Sequence, residues 1–266
     1  MADLRALQEH LHGLGRVVLG FSGGVDSTLL AVAATQALGP ARFLAVIGRS
    51  PSLAQSQHQA ALAVAARFAI PVRELETREL EDPRYAANPT TRCYFCKSEL
   101  WSRLTVFAAA RGFDTVIDGT LADDLTEHRP GLRAAREYGV RSPLAELGWR
   151  KIDVRRGARL LGVPSWDAPA SPCLASRVRY GLEVTPERLR QVERAEAFLR
   201  VLGVEGDLRV RHLGGSARIE VDPSCFAVLD RHWARVEREF RRLGFGSVAR
   251  AAEGYRRGAL LTLASG

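Results

Sequence analysis

One stretch of this sequence decides the fold: Val17-Val18-Leu19-Gly20-Phe21-Ser22-Gly23-Gly24-Val25-Asp26-Ser27, which continues into Thr28-Leu29-Leu30-Ala31-Val32-Ala33. An apolar strand runs into Ser-Gly-Gly-x-Asp-Ser and then directly into a helix. Adjacent glycines allow a tight turn with inward-facing backbone N–H groups, and serine hydroxyls and the helix N-terminus add donors there. The loop therefore predicts a pyrophosphate site. The alternative is a plain Gly-Gly turn between strand and helix.

The loop also excludes one class of nucleotide-binding protein. A Walker A motif requires G-x-x-x-x-G-K-S/T, and no lysine stands at that position, which argues against a P-loop NTPase that transfers the γ-phosphoryl group. The candidate nucleotide-binding residues of the loop are Ser22, Gly23, Gly24, Asp26 and Ser27.

Composition indicates a basic globular protein. The 266 residues are 46% hydrophobic, and 38 Lys plus Arg against 30 Asp plus Glu give a formal charge of +8. All the basic residues except Lys97 and Lys151 are arginines dispersed along the chain without interleaved aromatics, so nucleic-acid binding is not favoured. No apolar run approaches the roughly 18 residues of a membrane span, and the first residues form a charged amphipathic pattern rather than a signal peptide. We expect a cytoplasmic protein without a membrane partner.

Hydrophobic periodicity predicts an α/β protein. Strands at residues 16–21, 42–48, 72–76 and 114–118 alternate with helices at 27–38, 53–68 and about 94–111. Such an order predicts a doubly wound, mainly parallel sheet with ligands at the carboxyl ends of its strands. A helix at 151–161 closes this part.

A second, smaller domain is predicted beyond a proline-rich loop. Helices at 186–202 and 223–243 flank strands at 207–212 and 217–222, and a last strand lies near 247–251, which is typical of a small α+β domain. We expect a pyrophosphate-loop domain at 1–164, a linker at 165–181 and the α+β domain at 182–266.

Cysteines form the second chemical signal. Cys93 and Cys96 make a C-x-x-C at the start of a predicted helix, and Cys173 lies in the proline-rich loop. Four cysteines in a reducing compartment favour metal or catalytic use over disulfides. Three thiolates are one ligand short of a structural zinc site and could hold an iron–sulfur cluster with one open iron. Cys225 is interpreted as a small core residue.

Acidic residues follow the fourth predicted strand, in Asp118-Gly119-Thr120-Leu121-Ala122-Asp123-Asp124. The carboxyl ends of parallel strands share one edge, so Gly119 and Asp123 are candidate nucleotide-binding residues. Asp123 and Asp124 offer the hard oxygen ligands that Mg²⁺ uses together with phosphates. The alternative is that both are turn and helix-cap residues.

Two arginines of the second domain suggest an anion site. Arg209 and Arg211 alternate along a predicted strand and so share one face, from which they could grip a phosphate or carboxylate. A solvated sheet face is the alternative, and Glu220 on the next strand could simply pair with one of them. Glu193 and Glu196 are expected to face solvent.

Five further blocks accompany the Ser22–Ser27 loop: Asn88-Pro89-x-x-Arg92-Cys93-Tyr94-Phe95-Cys96-Lys97, Asp118-Gly119-Thr120-x-x-Asp123-Asp124, Arg129-Pro130-Gly131-Leu132-Arg133-Ala134-Ala135, Ser142-Pro143-Leu144 and Pro169-Ala170-Ser171-Pro172-Cys173-Leu174-Ala175-Ser176-Arg177. Together they resemble the LarE family of ATP-dependent sulfur transferases. That family lies within the PP-loop ATP pyrophosphatases, which include asparagine, GMP and NAD synthetases. The similarity runs from Ser22 to about Tyr255.

The resemblance implies a two-step reaction. ATP with Mg²⁺ adenylates a carboxylate of pyridinium-3,5-dicarboxylic acid mononucleotide, and sulfur then displaces AMP to leave a thiocarboxylate, for the nickel-pincer cofactor of lactate racemase. It also implies a PP-loop role for Ser22–Ser27, including Asp26 as a catalytic residue. By the same resemblance, the sulfur-site cysteine is expected to be Cys173, and the substrate-binding residues are expected to be Arg209, Arg211 and Arg177. A homo-oligomer is expected.

Members of the family are of two kinds. In one, a single loop cysteine gives up its own sulfur and becomes dehydroalanine. In the other, three cysteines hold a 4Fe-4S cluster whose unique iron delivers an exogenous sulfide. Since the chain has Cys93 and Cys96 as well as Cys173, the resemblance favours the cluster type. Three rival functions stay open: a tRNA-thiolating PP-loop enzyme, an ammonia-using synthetase that does not need Cys173, and a non-enzymatic metal or cluster carrier.

Overall fold

The computed structural model describes residues 3–126, 130–169 and 171–256. In chain order its helices and strands are α1 Leu4–His12, β1 Val17–Gly20, α2 Val25–Leu38, β2 Phe43–Arg49, α3 Gln55–Arg67, β3 Val72–Glu76, α4 Pro83–Ala86, α5 Arg92–Ala110, β4 Thr115–Ile117, α6 Pro130–Glu137, α7 Pro143–Glu146, α8 Lys151–Leu160, α9 Pro186–Val201, β5 Leu208–His212, β6 Ser216–Val221, α10 Phe226–Arg242 and β7 Ser247–Arg250. Short 3₁₀ helices cover Glu79–Glu81, Asp123–Thr126, Leu174–Arg177 and Pro223–Cys225.

Contacts divide the chain into two compact units. The first contains Met1–Glu79 and Thr91–Ser171, and the second contains Leu80–Thr90 and Pro172–Gly266. No helix within the described ranges is long and apolar enough to cross a membrane.

The first unit is built on a four-stranded parallel sheet in the order β3-β2-β1-β4. Successive residues of β1 point to opposite faces, because the side-chain period of a strand is two. Val17 and Leu19 join a core that includes Leu29 of α2 and Val154 of α8. Val18 joins a second core with Trp101 of α5. Helices therefore cover both faces, which confirms the predicted doubly wound α/β fold.

The second unit holds a three-stranded sheet in the order β5-β6-β7. β5 and β6 are antiparallel, whereas β6 and β7 are parallel. One face of this sheet, with Val210 and Ile219, packs into a core with Leu199 of α9 and Phe240 of α10. The Thr185 hydroxyl caps α9 by accepting the Arg188 N–H at 3.2 Å, next to a proline in the first turn.

Two features differ from the sequence prediction. The short helices α4, α6 and α7 are additional, since four- to eight-residue helices carry too little periodicity to detect. Residues 80–90, which we assigned to the first domain, are grouped with the second unit. The buried side chain of Asn88 donates to the carbonyls of Val178, Arg179 and Leu182. These bonds join residues about ninety positions apart and cannot be seen as a local pattern.

Candidate functional site

The Ser22–Ser27 loop lies where predicted, between β1 and α2. Gly24 is the N-cap of α2, and no side chain of the described residues caps the helix there. Ser27 Oγ donates to the Gly24 carbonyl at 3.1 Å and lies 3.1 Å from Ser22 Oγ. Hydroxyls and the N–H groups of the first turn are thus gathered at one helix N-terminus, an arrangement that suits an anion. We call residues 22–27 the phosphate nest.

Two glycines make the nest possible. Gly23 has φ +73°, and a Cβ there would lie 2.6 Å from the Cβ of Ala61 in α3. Gly119, in the loop after β4, would bring a Cβ within 3.1 Å of the Ser27 nitrogen. The loop that follows β4 therefore packs directly against the start of α2, as expected for neighbouring strands of a parallel sheet.

Lys151, the first residue of α8, belongs to the candidate site, and the sequence analysis did not predict it. Lys151 Nζ donates to both carboxylate oxygens of Asp26, at 2.7 and 2.9 Å. The backbone N–H of the same residue donates to Asp123 Oδ2 at 2.9 Å, and Arg150 Nε lies 3.7 Å from Asp123 Oδ1. Asp26 and Asp123, both predicted from sequence, are thereby brought to a single residue. The sequence predicted a helix that begins at residue 151, but it did not indicate that Lys151 contacts Asp26.

The other carboxylates near β4 hold the loop. Asp124 Oδ2 accepts the Leu121 N–H at 2.9 Å. Asp118 accepts the Thr120 N–H, the Thr120 hydroxyl and the Ser142 hydroxyl. The Asp124 bond fits the alternative that this residue only stabilises a turn. Asp123 instead accepts the backbone N–H of Lys151.

Cys93 and Cys96 lie in the first turns of α5, in the first unit. Cys93 is exposed and Cys96 is partly buried. One turn further on, Lys97 Nζ lies 5.0 Å from the centre of the Trp101 ring. Among residues 3–126, 130–169 and 171–256, no group of three or more His, Cys, Asp or Glu side chains is close enough to hold a metal ion.

Cys173 belongs to the second unit, where it precedes a 3₁₀ turn. Its carbonyl accepts the Ser176 N–H at 3.0 Å, the Ser176 hydroxyl at 2.7 Å and Arg177 Nη1 at 3.0 Å. Arg177 also donates to the Pro172 carbonyl. The backbone of the cysteine is therefore fixed by an arginine, and the residue as a whole is partly exposed.

Buried arginines and glutamates surround this turn within the second unit. Arg177 forms a two-bond ion pair with Glu196 of α9, at 3.0 and 3.1 Å. Arg211 donates to Glu220 at 2.8 Å and to the Ser176 carbonyl at 3.0 Å. We call the whole group the arginine cluster: Arg177, Glu196, Arg209, Arg211, Arg218 and Glu220.

The cluster is unusual in both its burial and its charge. Arg177, Arg209 and Arg211 are 4–7% exposed and Glu220 is 1% exposed. Burial, followed by the nearby Arg177 charge, lowers the pKa of Arg209. Four arginines face two glutamates, and Asp207 also acts on Arg209, so positive charges outnumber negative ones in a place where burying charge is costly. Such a surplus suits an anionic ligand.

Three sequence interpretations can now be corrected or confirmed. The solvated-face alternative for Arg209 and Arg211 is wrong, because both are buried on one sheet face with Glu220. The expectation that Glu196 faces solvent is wrong, since Arg177 holds it. Cys225 is a core residue, 7% exposed, as interpreted. Arg129 and Ala170 of the quoted blocks lie outside the described residues.

Comparisons with known proteins agree with this architecture. The NAD synthase family profile matches residues 5–107, a range that includes the phosphate nest. Similarly, a glutamine-dependent NAD(+) synthetase of Rhodobacter capsulatus is 42% identical over 87 residues, 32% of this chain and 15% of that enzyme.

Two relatives match over most of their length. An uncharacterized protein of Synechocystis is 44% identical over 261 residues, covering 97% of both chains. The pyridinium-3,5-bisthiocarboxylic acid mononucleotide synthase of Lactiplantibacillus plantarum is 35% identical over 248 residues, 93% of this chain and 90% of that enzyme.

Proposed function

The chain belongs to the family of the pyridinium-3,5-bisthiocarboxylic acid mononucleotide synthase, and from that premise we propose that it is an ATP-dependent sulfur transferase. Its substrate is pyridinium-3,5-dicarboxylic acid mononucleotide, and its product is the corresponding thiocarboxylate for the nickel-pincer cofactor of lactate racemase. The observation that carries the proposal is the phosphate nest at the uncapped start of α2, in a chain with a relative that is a pyridinium-3,5-bisthiocarboxylic acid mononucleotide synthase.

The first step is adenylation. A carboxylate oxygen of the substrate attacks the α-phosphorus of ATP, the bond from that phosphorus to the bridging oxygen breaks, and pyrophosphate leaves with the electron pair. The acyl-adenylate carries a good leaving group, whereas a free carboxylate is a poor electrophile. Ser22, Gly23, Gly24 and Ser27 bind the departing pyrophosphate through N–H and hydroxyl donors.

A Mg²⁺ site is proposed beside the phosphate nest, at Asp26 and Asp123. Asp26 and Asp123 already share a positively charged residue, Lys151, and two carboxylates together with phosphate oxygens are a usual Mg²⁺ environment. When bound, Mg²⁺ neutralises charge on the pyrophosphate. Gly119 lets the loop that carries Asp123 approach the start of α2.

Substrate recognition is assigned to the arginine cluster. The mononucleotide carries a phosphate, and Arg209 and Arg211 extend from one strand face with Arg177 in the same cluster. The surplus of positive charge in the cluster supports a binding site for that phosphate. Arg177 additionally fixes the Cys173 carbonyl, so one residue serves both the anion and the sulfur site.

Sulfur transfer is assigned to Cys173. In the sacrificial version, its sulfur attacks the acyl carbon and AMP leaves. Loss of the Cα proton with cleavage of the Cβ–Sγ bond then releases the thiocarboxylate and leaves dehydroalanine. In the cluster version, Cys93, Cys96 and Cys173 ligate a 4Fe-4S cluster. Thiolates are the ligands such clusters use, but no three-ligand group is assembled among the described residues, so we derive no step through it.

The decisive experiment is anaerobic incubation with ATP, Mg²⁺ and the dicarboxylate nucleotide, followed by the masses of product and protein. We expect replacement of carboxylate oxygen by sulfur, with release of pyrophosphate and AMP. Cys173→Ala should retain pyrophosphate release and lose the thiocarboxylate. Sulfur transfer that survives this substitution would contradict the proposal.

Three measurements address the finer parts of the proposal. Iron and acid-labile sulfide in anaerobically purified protein support the cluster version, whereas an iron-free protein that gains dehydroalanine at Cys173 supports the sacrificial one. We further propose a cytoplasmic homo-oligomer, in keeping with four reduced thiols, and light scattering measures its mass.

A further inference from the structure

The side chain of Gln57 joins helix α3 to the end of the first unit. Its amide nitrogen Nε2 donates to the Ser171 carbonyl at 2.8 Å and also to the Ser171 hydroxyl. An amide nitrogen carries two hydrogens, so both bonds can form at the same time. The two residues are 114 positions apart, and both belong to the first unit. The contact therefore fixes one point of the loop before Cys173.

The helix that bears Gln57 is itself held against the phosphate nest. Ala61 lies one turn later on the same side of α3, because residues four apart are neighbours on a helix. It is 1% exposed, and a Cβ on Gly23 of the nest would lie 2.6 Å from its Cβ. His58 Nε2 lies 2.8 Å from Glu74 Oε1 of β3. Both the nest and the sheet therefore fix the position of this helix.

The position of Ser171 matters because of the residues that follow it. Ser171 is the last residue of the first unit, and Cys173 is the second residue of the next segment. Two residues span roughly 7 Å at full extension, which limits how far Cys173 can move from the point that Gln57 holds. Without this contact, the nearest helix or strand before Cys173 is α8, which ends at Leu160. Gln57 thus shortens the tether of the cysteine.

Tether length affects the proposed transfer of sulfur. The acyl-adenylate can react with two nucleophiles. Attack by the Cys173 sulfur forms a bond to the acyl carbon, and AMP leaves with the electron pair of the broken carbon–oxygen bond. Attack by water also releases AMP but restores the carboxylate. A cysteine on a longer tether competes less well with water, because its effective concentration at the acyl carbon falls.

We infer that Gln57 is a positioning residue for sulfur transfer, which rests on the proposed function. It acts through Ser171, the residue from which the chain continues to Cys173. The same helix contacts the phosphate nest through Ala61. Helix α3 therefore connects the proposed adenylation site with the start of the segment that carries the thiol, and it does so without a group that takes part in adenylation.

Two variants and a matched control test this role. Gln57→Met keeps the length of the side chain but removes both N–H donors. Ser171→Ala removes the hydroxyl and leaves the bond to the carbonyl. Gln59→Met is the control, because Gln59 is an exposed glutamine of the same helix. Thermal unfolding confirms that each variant is folded, and Ser171→Ala serves where Gln57→Met is not.

Hydrogen exchange tests the contact without relying on catalysis. The amides of residues 171–174 should exchange about tenfold faster in Gln57→Met than in wild type, because two hydrogen bonds are lost. Ser171→Ala should show a smaller increase, and Gln59→Met should resemble wild type. Exchange that is unchanged in Gln57→Met, or equally fast in Gln59→Met, would overturn the inference.

Single-turnover reactions with ATP, Mg²⁺ and the dicarboxylate nucleotide test the effect on sulfur transfer. In Gln57→Met the rate of thiocarboxylate formation should fall about tenfold, while pyrophosphate release keeps its wild-type rate. A merely structural role would lower both rates together, and that result would overturn the inference. Wild-type protein that forms no thiocarboxylate would refute the proposed function, and hydrogen exchange would still decide whether Gln57 fixes the segment.

Discussion

The two proposed anion sites of this protein are built in opposite ways. The phosphate nest uses six consecutive residues, and its donors are mainly backbone N–H groups and small hydroxyls. The arginine cluster collects six long, charged side chains from a 3₁₀ turn, one helix and two strands. A backbone site depends on conformation, so glycine is its critical residue. A side-chain site needs carboxylates that compensate part of its buried positive charge, so its carboxylates are critical.

Removing a buried carboxylate should break the arginine cluster and is the largest effect we expect. Glu220→Gln leaves Arg211 and Arg218 without the charge that both contact. We expect a loss of about 3–5 kcal/mol in the free energy of unfolding, measured in urea, because Arg211 is left buried without its counter-charge. The exposed Glu205 is the control, and Glu205→Gln should change stability by less than about 0.5 kcal/mol. A loss below about 1 kcal/mol for Glu220→Gln would show that Glu220 does not compensate the charges of Arg211 and Arg218.

The second-largest effect is expected from substituting a glycine of the phosphate nest. Gly23→Ala combines a left-handed backbone with a contact 2.6 Å from Ala61, and should lower ATP-dependent pyrophosphate release about a hundredfold, or about 2.7 kcal/mol. Gly39→Ala is a matched control, because Gly39 has φ +67° but no atom within 4 Å of an added Cβ. That variant should lose about 1–2 kcal/mol of stability and keep its activity. Equal activities in the two variants would contradict a specific role for the nest backbone.

A third test compares how the stability of each unit depends on acid pH. Burial, with the nearby Arg188 charge, lowers the pKa of His212 from 6.5 to about 4. The unfolded chain therefore binds this proton at a higher pH than the folded protein, and stability is lost as pH falls from 6.5 towards 4. In the first unit, hydrogen bonding from Arg141 lowers the pKa of Glu146 from 4.5 to about 2, so its contribution persists down to pH 4.5.

Between pH 7 and pH 5 the second unit should lose about 2 kcal/mol through His212. Urea unfolding followed by hydrogen exchange in each unit measures the difference. His212→Gln, which cannot gain the proton, should flatten the pH dependence of the second unit. A loss that is shared equally by both units, or that survives His212→Gln, would argue against this assignment.

The smallest effect concerns a nest side chain. Ser27→Ala removes one hydroxyl but leaves the backbone donors, so ATP affinity should fall only about tenfold, equivalent to about 1.4 kcal/mol. Ser102→Ala removes a comparable hydroxyl bond inside α5 and should not alter ATP binding. If Ser27→Ala were as damaging as Gly23→Ala, hydroxyls rather than backbone would dominate the nest.

Much of the fold could be predicted from sequence. The strands and long helices of both sheets were located within a few residues, because their apolar periodicity is a local property. The placing of Arg209 and Arg211 on one face followed from the period of a strand. Their burial did not follow, since it depends on Glu220 and on packing against other elements.

The misassigned residues share a cause. Glu196 looked solvent-facing on its own helix, but its partner, Arg177, comes from the turn after Cys173. Asn88 does lie in a loop, but nothing local indicated that its amide bonds three carbonyls far along the chain. Lys151 carried no motif at all. Each contact depends on chain segments that only folding brings together.

The sequence by itself determined the phosphate nest, because a left-handed glycine and the uncapped first turn of a helix are set by neighbouring residues. Tertiary structure alone decided which charges meet: Lys151 with Asp26, and Arg177 with Glu196. The physical reason is the distance along the chain over which each kind of interaction is determined. Backbone conformation is governed by a few adjacent residues, whereas an ion pair needs two side chains whose separation is set by the packing of whole helices and sheets.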